Sequence, residues 1–236
     1  MSDAPASRPR TTLDHIVVAA NTLAEGAAWC EETFGVAAET GGRHAAMGTH
    51  NLLLAISSAQ FPKSYLEIIA IDPEAPPPGR RRWFDLDTPA LRSLVASGPR
   101  LVHWVARTDD IEAAAAMLRA HGHEAGRIVD AERMTPGGLL RWRIALADDG
   151  TRAAAGAIPL LIEWGPVHPT DSMPPSGVAI EAVQLGGVEP ELASLLGALA
   201  RSGDAPPLVT ILAGCRGSVT LAVAGGSAAS PGLVHT

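Results

Sequence analysis

The sequence predicts an α+β fold of two paired β-α-β-β-β modules enclosing a cleft, followed by a truncated β-α-β-β half-module. Three observations predict it. Leu13-Asp14-His15-Ile16-Val17-Val18-Ala19 returns as Leu101-Val102-His103-Trp104-Val105-Ala106, with Leu, His and Val in register 88 residues on. An alanine-rich helical run follows each copy, and turn residues then divide the remainder into strand-length pieces. A repeat of this kind marks a supersecondary unit used twice.

The elements follow in order. The two His-bearing runs are apolar and β-branched, as strands are. Asn21 and Asp109 stand where helix N-caps are needed, before Leu23–Cys30 and Ile111–Leu118. Gly35 and Gly122 stand at the helix ends. Three strands are expected after each helix. The clear ones are Asn51–Ser57 and Ser64–Ile71 in the first copy, and Leu139–Ala147 and Ile158–Trp164 in the second. Gly41-Gly42, Pro62, Pro136-Gly137-Gly138 and Asp148-Asp149-Gly150 read as the turns between them. This gives a two-module domain over 12–166, with module one at 12–72, a linker at 73–99 and module two at 100–166. The linker is Pro-rich, carries Arg80-Arg81-Arg82-Trp83, and has room for one helix, Thr88–Ser97.

After the connector Pro166–Gly177 comes a third, truncated module at 177–225. Its expected elements are strand Val178–Leu185, helix Pro190–Ala200, and strands Leu208–Ala213 and Ser218–Ala224. Ile180 takes the position of the two histidines there, so this piece reads as structural. Its apolar strands need a cover, either the barrel itself or a second chain in a homodimer.

Composition narrows the function classes. A formal charge of −7 disfavours a nucleic-acid-binding body. No stretch reaches the roughly 18 apolar residues of a membrane span, and Met1–Arg10 is polar with no apolar leader core, so the expectation is a cytoplasmic protein acting on a small-molecule substrate. Cys30 and Cys215 lack metal or disulfide spacing and read as reduced thiols, one in a helix and one in a late strand. Aromatic residues make up only 4% of the chain, so aliphatic side chains must fill the core.

The chemistry lies in the strands. Glu67 sits in Tyr65-Leu66-Glu67-Ile68-Ile69 and Glu163 in Leu160-Leu161-Ile162-Glu163-Trp164, each a lone carboxylate in an apolar run. Such a group is costly to bury unless it is paired, protonated or bound to a metal. The His-to-Glu interval is 52 residues in one copy and 60 in the other, a difference that one longer loop can absorb. Two modules about a pseudo-twofold axis would therefore bring His15, Glu67, His103 and Glu163 to one point. That set suits a divalent transition metal (Zn, Ni, Co, Fe or Mn) with open positions for substrate oxygens. His44, His50, Asn51 and Arg141 are candidates for substrate contacts. His121, His123, His168 and His235 read as surface residues.

With these residues in place the chain resembles the vicinal oxygen chelate superfamily and, within it, the glyoxalase-like domain proteins, over residues 12–166. Gly41-Gly42-Arg43-His44, Gly48-Thr49-His50-Asn51, Leu140-Arg141-Trp142 and the strand ending at Trp164 carry the narrower likeness. The resemblance implies a metal-dependent lyase or isomerase acting on a small α-oxo or α-hydroxy carbonyl compound through an enediolate, with Glu163 or Glu67 as base. Two alternatives stand beside it. One is an Fe(II) extradiol-type dioxygenase using His15, His103 and Glu163; the other is a non-catalytic binding module of the same fold.

Overall fold

The protein is described by a computed structural model that covers residues 8–135, 137–186 and 188–199, and beyond them the backbone of strands at 210–212, 219–225 and 232–235. Module one comprises β1 (Thr11–Ala19), α1 (Leu23–Phe34), β2 (Glu39–His44), β3 (Thr49–Ala55) and β4 (Tyr65–Ile71). A helix, α2 (Pro89–Ala96), lies in the linker. Module two comprises β5 (Arg100–Thr108), α3 (Ile111–Ala120), β6 (Arg127–Thr135), β7 (Gly138–Leu146) and β8 (Leu160–Trp164). The tail adds β9 (Val178–Gly186), α4 (Pro190–Leu199), β10 (Thr210–Leu212), β11 (Val219–Gly225) and β12 (Gly232–His235). The paired modules expected from the repeat are present. Leu208, Ala213, Ser218, Ala200 and Cys215 lie outside the described residues, as does the side chain of His235.

One eight-stranded sheet runs β2-β3-β4-β1-β5-β8-β7-β6. The modules meet at its centre, where β1 and β5 pair antiparallel with Val17 opposite His103 and His15 opposite Val105. Reciprocal pairing of this sort is what a local twofold relation between the repeats requires. Each helix N-cap falls one residue later than expected, at Thr22 and Asp110, whose side chains accept from the amides of Glu25 and Ala113. Gly35 closes α1 at φ 70°, a left-handed conformation that favours glycine.

Period-two alternation sends the strand residues to two cores. On one face Leu13, Ile16, Val18, Leu66 and Ile68 pack with α1, α3 and the tail, whose Val178, Ile180, Val183, Leu185, Leu195 and Leu196 join the same cluster. The described part of the tail, β9 and α4, thus packs on its own chain, and Ile180, 1% exposed, is a core residue as expected. The Ile180 amide donates to the Ile56 carbonyl at 2.8 Å, tying the small β10-β9-β11-β12 sheet to module one.

On the other face Val17, Ala19, Ile69, Val102, Val105, Ile144 and Ile162 form a second cluster. The linker enters this face. Phe84 and Leu86, each 4% exposed, pack into it together with Leu91, Val95 and Met47, and Trp83 stacks on Phe84 at 5.4 Å. The Arg-Arg-Arg-Trp run of the linker is thus only partly in solvent, with Arg81 exposed and its neighbours half-buried. Arg82 is paired with Asp87 at 2.7 Å, Arg80 donates to the Ala147 carbonyl, and Trp83-Phe84 plugs the cleft. Burying two large aromatic rings outweighs leaving them in water. Arg152, at 2.7 Å from Asp85, and the Gly150 carbonyl, accepting from the Asp85 amide, pin the plug from the β7–β8 loop. Among the described residues no helix is long and apolar enough to cross a membrane.

Candidate active site

The site grows from an irregularity in β1. Neighbouring strand residues normally point apart, but the register shifts between Leu13 and His15, and Asp14 Oδ1 there meets His15 Nδ1 at 2.7 Å. Asp14 is fully buried. Its second oxygen accepts from Trp164 Nε1 at 3.0 Å, faces His168 Nε2 at 3.0 Å, and has Arg107 at 3.5 Å. Burial alone would raise its pKa, but the hydrogen bonds from His15 and His168 outweigh it and hold the carboxyl well below the usual range. A carboxylate held in this way fixes the His15 proton on Nδ1 and aims Nε2 into the cleft. Tyr65 stacks on the imidazole at 4.5 Å and keeps the ring plane fixed.

His168 enters this network as a buried residue, 4% exposed, so its reading as a surface histidine is corrected. It caps the short turn Pro169–Asp171, its Nδ1 accepting from the Thr170 amide, which leaves Nε2–H for Asp14. Its only sequence signal was the pattern His-Pro-Thr-Asp, a capping box with a histidine as cap.

Opposite His15 stands Glu67, 6% exposed, with Oε2 at 3.7 Å from His15 Nε2. That gap is too long for a hydrogen bond. Its other oxygen, Oε1, is taken by Asn51 Nδ2 at 2.5 Å. Asn51 is itself held, because the Gly42 amide donates to its Oδ1 at 2.6 Å. The Gly41-Gly42 pair expected as a turn lies instead within β2, at a register shift between Thr40 and Arg43. Glycine is required by close approach, since a Cβ on Gly41 would collide with Asn51 Oδ1. His44 completes the group, its Nε2 at 3.9 Å from Glu67 Oε1 and its ring edge-on to Trp83. Burial pushes its pKa down to about 4, with Glu67 opposing and Arg133 adding to the shift, so the ring is neutral.

These side chains line a cavity of about 50 Å³ with Leu53, Val105, Ile144 and Ile162 and the indoles of Trp83, Trp142 and Trp164. Arg133 of β6 also reaches in, crossing to the opposite edge strand, where its guanidinium lies over Gly42 in the space a Cβ would fill. Sequence reasoning missed this residue because β6, Arg-Ile-Val-Asp-Ala-Glu-Arg-Met-Thr, is polar enough to hide as a loop; only the requirement for a third strand in module two pointed to this stretch.

Of the residues expected at the site, His15, Glu67, His44 and Asn51 come together; His103, Glu163, His50 and Arg141 do not join them. His103 is buried behind Phe84, with 5.4 Å between ring centres, and its Nδ1 has no hydrogen-bond partner. Burial, then Arg152, lowers its pKa to about 3. Glu163 lies on the other face of β8, where Oε2 accepts from the Ile111 amide at 2.8 Å and Arg143 is 3.5 Å from Oε1. It is the N-terminal anion of α3. His50 points away from Asn51, toward Asp72 at 4.0 Å. Arg141 is 65% exposed and paired with Glu132. A wider groove of about 510 Å³ beside Glu163 and Arg143 is lined by such paired charges.

Strand register explains why Glu163 is elsewhere. In module one Val17 pairs with Glu67, and in module two its repeat partner Val105 pairs with Leu160. The structural counterpart of Glu67 is therefore Leu160, and Glu163 is three residues on, an odd number that turns it to the opposite face. The four-ligand metal shell, and with it the His15, His103 and Glu163 triad, does not fit these positions. Among the described residues no three His, Cys, Asp or Glu side chains are arranged to hold a metal ion.

Comparison with known proteins agrees with the architecture. No curated protein matches the chain. Among solved structures it is similar to a hypothetical protein from Staphylococcus aureus, at 17% identity and a TM-score of 0.57 over 93% of each chain. It is also similar to methylmalonyl-CoA epimerase from Streptomyces coelicolor, at 19% identity, a TM-score of 0.41 and coverage of 67% of this chain and 98% of that one. For the Mycobacterium tuberculosis methylmalonyl-CoA epimerase the values are 18%, 0.39, 69% and 92%. The glyoxalase-like domain model matches residues 13–200, most of the chain. With that match and two βαβββ modules joined through their first strands, the chain belongs to the glyoxalase-like domain family of the vicinal oxygen chelate superfamily.

Proposed function

We propose that the protein is an isomerase or lyase that moves the proton α to the carbonyl of a small α-oxo or α-hydroxy carbonyl compound, with Glu67 as base and His15 as its acidic partner. The observation that carries this reading is the 3.7 Å gap between Glu67 Oε2 and His15 Nε2, inside a cavity closed by indoles and aliphatic side chains. Asn51 occupies Oε1, so Oε2 is the oxygen left to take a proton. Asp14 holds the imidazole through Nδ1, so that Nε2, when it carries a proton, can donate to the oxygen of a developing enediolate. Returning the proton to either face, or to the neighbouring carbon, gives epimerisation or isomerisation. Expulsion of a β-substituent gives a lyase.

The divalent metal and the second carboxylate of the sequence expectation have no part in these steps, because His103 and Glu163 stand away from His15 and Glu67. The extradiol alternative is disfavoured on the same ground. A binding module without chemistry needs no base aimed at an imidazole across an open gap.

Exchange of the α-proton of hydroxyacetone and of pyruvate with deuterated water, followed by proton NMR, tests the proposal. We expect exchange in the wild type and a fall of about a hundredfold or more in Glu67→Gln, the usual weight of a positioned base. Exchange that persists undiminished in Glu67→Gln removes Glu67 as the base.

A further inference from the structure

We infer that Arg133 is the receptor for an anionic group of the substrate, so that the compound acted on is a small carboxylic acid rather than a neutral carbonyl compound. The substrate part of this inference rests on the proton-transfer reading of the same cavity; the anion site itself does not.

Four observations carry it. First, Arg133 Nε and Nη1 are buried and have no hydrogen-bond partner among the described residues. A guanidinium is never neutral at ordinary pH, and burying its N–H groups without an acceptor is costly. Second, the other arginines near the cleft are satisfied: Arg82 by Asp87, Arg152 by Asp85 and the Val102 carbonyl, and Arg107 by two backbone carbonyls with Asp14 nearby. Arg133 alone among them has buried guanidinium N–H groups with no acceptor, on the side chain whose planar head suits a carboxylate.

Third, the chain makes room for it. The bare backbone of Gly42 receives the guanidinium where any side chain would collide. Fourth, Arg133 stands at a boundary. It lines the inner cavity with His15 and Glu67, and it also lines an adjoining cavity of about 210 Å³ between the β2 and β6 edges, with Thr40, Gly41, Thr135, Leu140 and Ser172. The inner cavity of about 50 Å³ admits only a few atoms, given that one water needs about 10–15 Å³ on this measure. A molecule of several heavy atoms therefore places its reacting carbon at Glu67 and the rest beyond, and a carboxylate in that path passes the Arg133 fork. The same positive charge offsets the second negative charge that forms when an α-carbon of a carboxylate-bearing substrate is deprotonated.

Three of the five tryptophans, Trp83, Trp142 and Trp164, line the inner cavity, so intrinsic fluorescence reports on binding there. The probes are pyruvate and its neutral analogue pyruvamide, titrated into the full chain. We expect wild type to bind pyruvate at least tenfold more tightly than pyruvamide. Arg133→Met should abolish that preference, weakening pyruvate binding at least tenfold. Gly42→Ala should weaken it by pushing the guanidinium aside, and Arg133→Lys should retain part of it. Equal affinity for acid and amide in the wild type overturns the inference, as does failure of both to bind, or an acid preference that survives in a folded Arg133→Met. Should Arg133→Met not fold, as judged by circular dichroism, the wild-type comparison and Gly42→Ala decide. Acid preference without α-proton exchange leaves the anion site standing and removes the proton-transfer reading; exchange without acid preference does the reverse.

Discussion

The two modules share a fold and differ in chemistry. In module one the first strand offers His15 backed by Asp14, and the last offers Glu67 tied by Asn51. At corresponding positions module two has Val102 in place of Asp14 and Leu160 in place of Glu67. Ile69, two residues past Glu67, pairs with Asn51; Ile162, two residues past Leu160, pairs with Ile144, so an aliphatic residue also replaces the asparagine. His103 persists as a neutral ring behind Phe84. Module two has thus become an apolar wall, and through Arg133 and Trp142 it shapes a cavity whose acid–base groups belong to module one. The lesson is that a repeat in sequence guarantees the strand but not the face on which a side chain emerges.

The largest effect expected from breaking this asymmetry is at Asp14. Asp14→Asn leaves four donors, on His15, His168, Trp164 and Arg107, around a group that can no longer satisfy them as an anion. Disrupting a buried charge network typically costs about 3–5 kcal/mol. We expect a loss of that order in urea unfolding, together with loss of α-proton exchange, since His15 is no longer held in one tautomer. The matching change in module two, Val102→Thr, touches no such network and should cost under about 2 kcal/mol. Similar losses at the two positions would show that the modules are energetically equivalent after all.

Next comes the plug. Phe84→Ala removes a ring that is 4% exposed and separates His103 from the His15–Glu67 group. The expected destabilisation is about 3–5 kcal/mol, as for other buried Phe→Ala changes. Part is offset because Phe84 sits at φ 59°, a strained conformation for a bulky residue that the variant relieves in part. A melting temperature within a degree or two of wild type would show that the linker only lies against the cleft.

Much of this was legible beforehand, and the residues show where legibility stopped. The strands with strict apolar patterns, β1, β4, β5 and β8, were readable, and so were the capped helices and the helix inside the linker. His15, Glu67, His44 and Asn51 were found because a polar residue inside an apolar strand is conspicuous. Glu163 was equally conspicuous but misplaced, because the interval from His103 contains a loop of unknown length and three residues of slip invert the face. Asp14 was passed over because strand alternation assigns it the opposite side from His15, and only the β1 irregularity brings them together. His168, Trp83, Phe84 and Arg133 sit in segments whose composition reads as connector or loop; nothing local says that a distant strand will bury them.

The two histidines that differ most in surroundings should govern the acid limb of stability. His44 and His103 have folded pKa values near 4 and 3, below the ordinary 6.5, chiefly through burial. Between about pH 6.5 and 4 the unfolded chain binds two protons that the folded chain refuses, so stability falls as pH falls. The limiting slope is about 1.4 kcal/mol per pH unit for each ring. Below pH 4 only His103 still contributes, and the decline flattens near 3. Asp14, depressed as a carboxylate, adds a further loss below the ordinary carboxylate range. In His103→Leu the slope between pH 6 and 4 should drop by about half; an unchanged slope would mean the ring is protonated in the native state.

The smallest expected effect is the most direct test of which carboxylate does what. Glu163 accepts from the first amide of α3 and is partly exposed, which is the geometry of a helix N-terminal anion and not of a base or ligand. Replacing such a group costs about 0.5–2 kcal/mol of stability. Glu163→Gln keeps an oxygen in place to accept from Ile111, so the loss should lie at the low end, with α-proton exchange within about twofold of wild type. Glu67→Gln is the counterpart, a change of the same chemistry that spares the α3 cap and removes the base. If Glu163→Gln instead abolishes exchange while the protein stays folded, then the face reversal caused by the register of β8 does not hold in solution, and both modules contribute a carboxylate to the reaction.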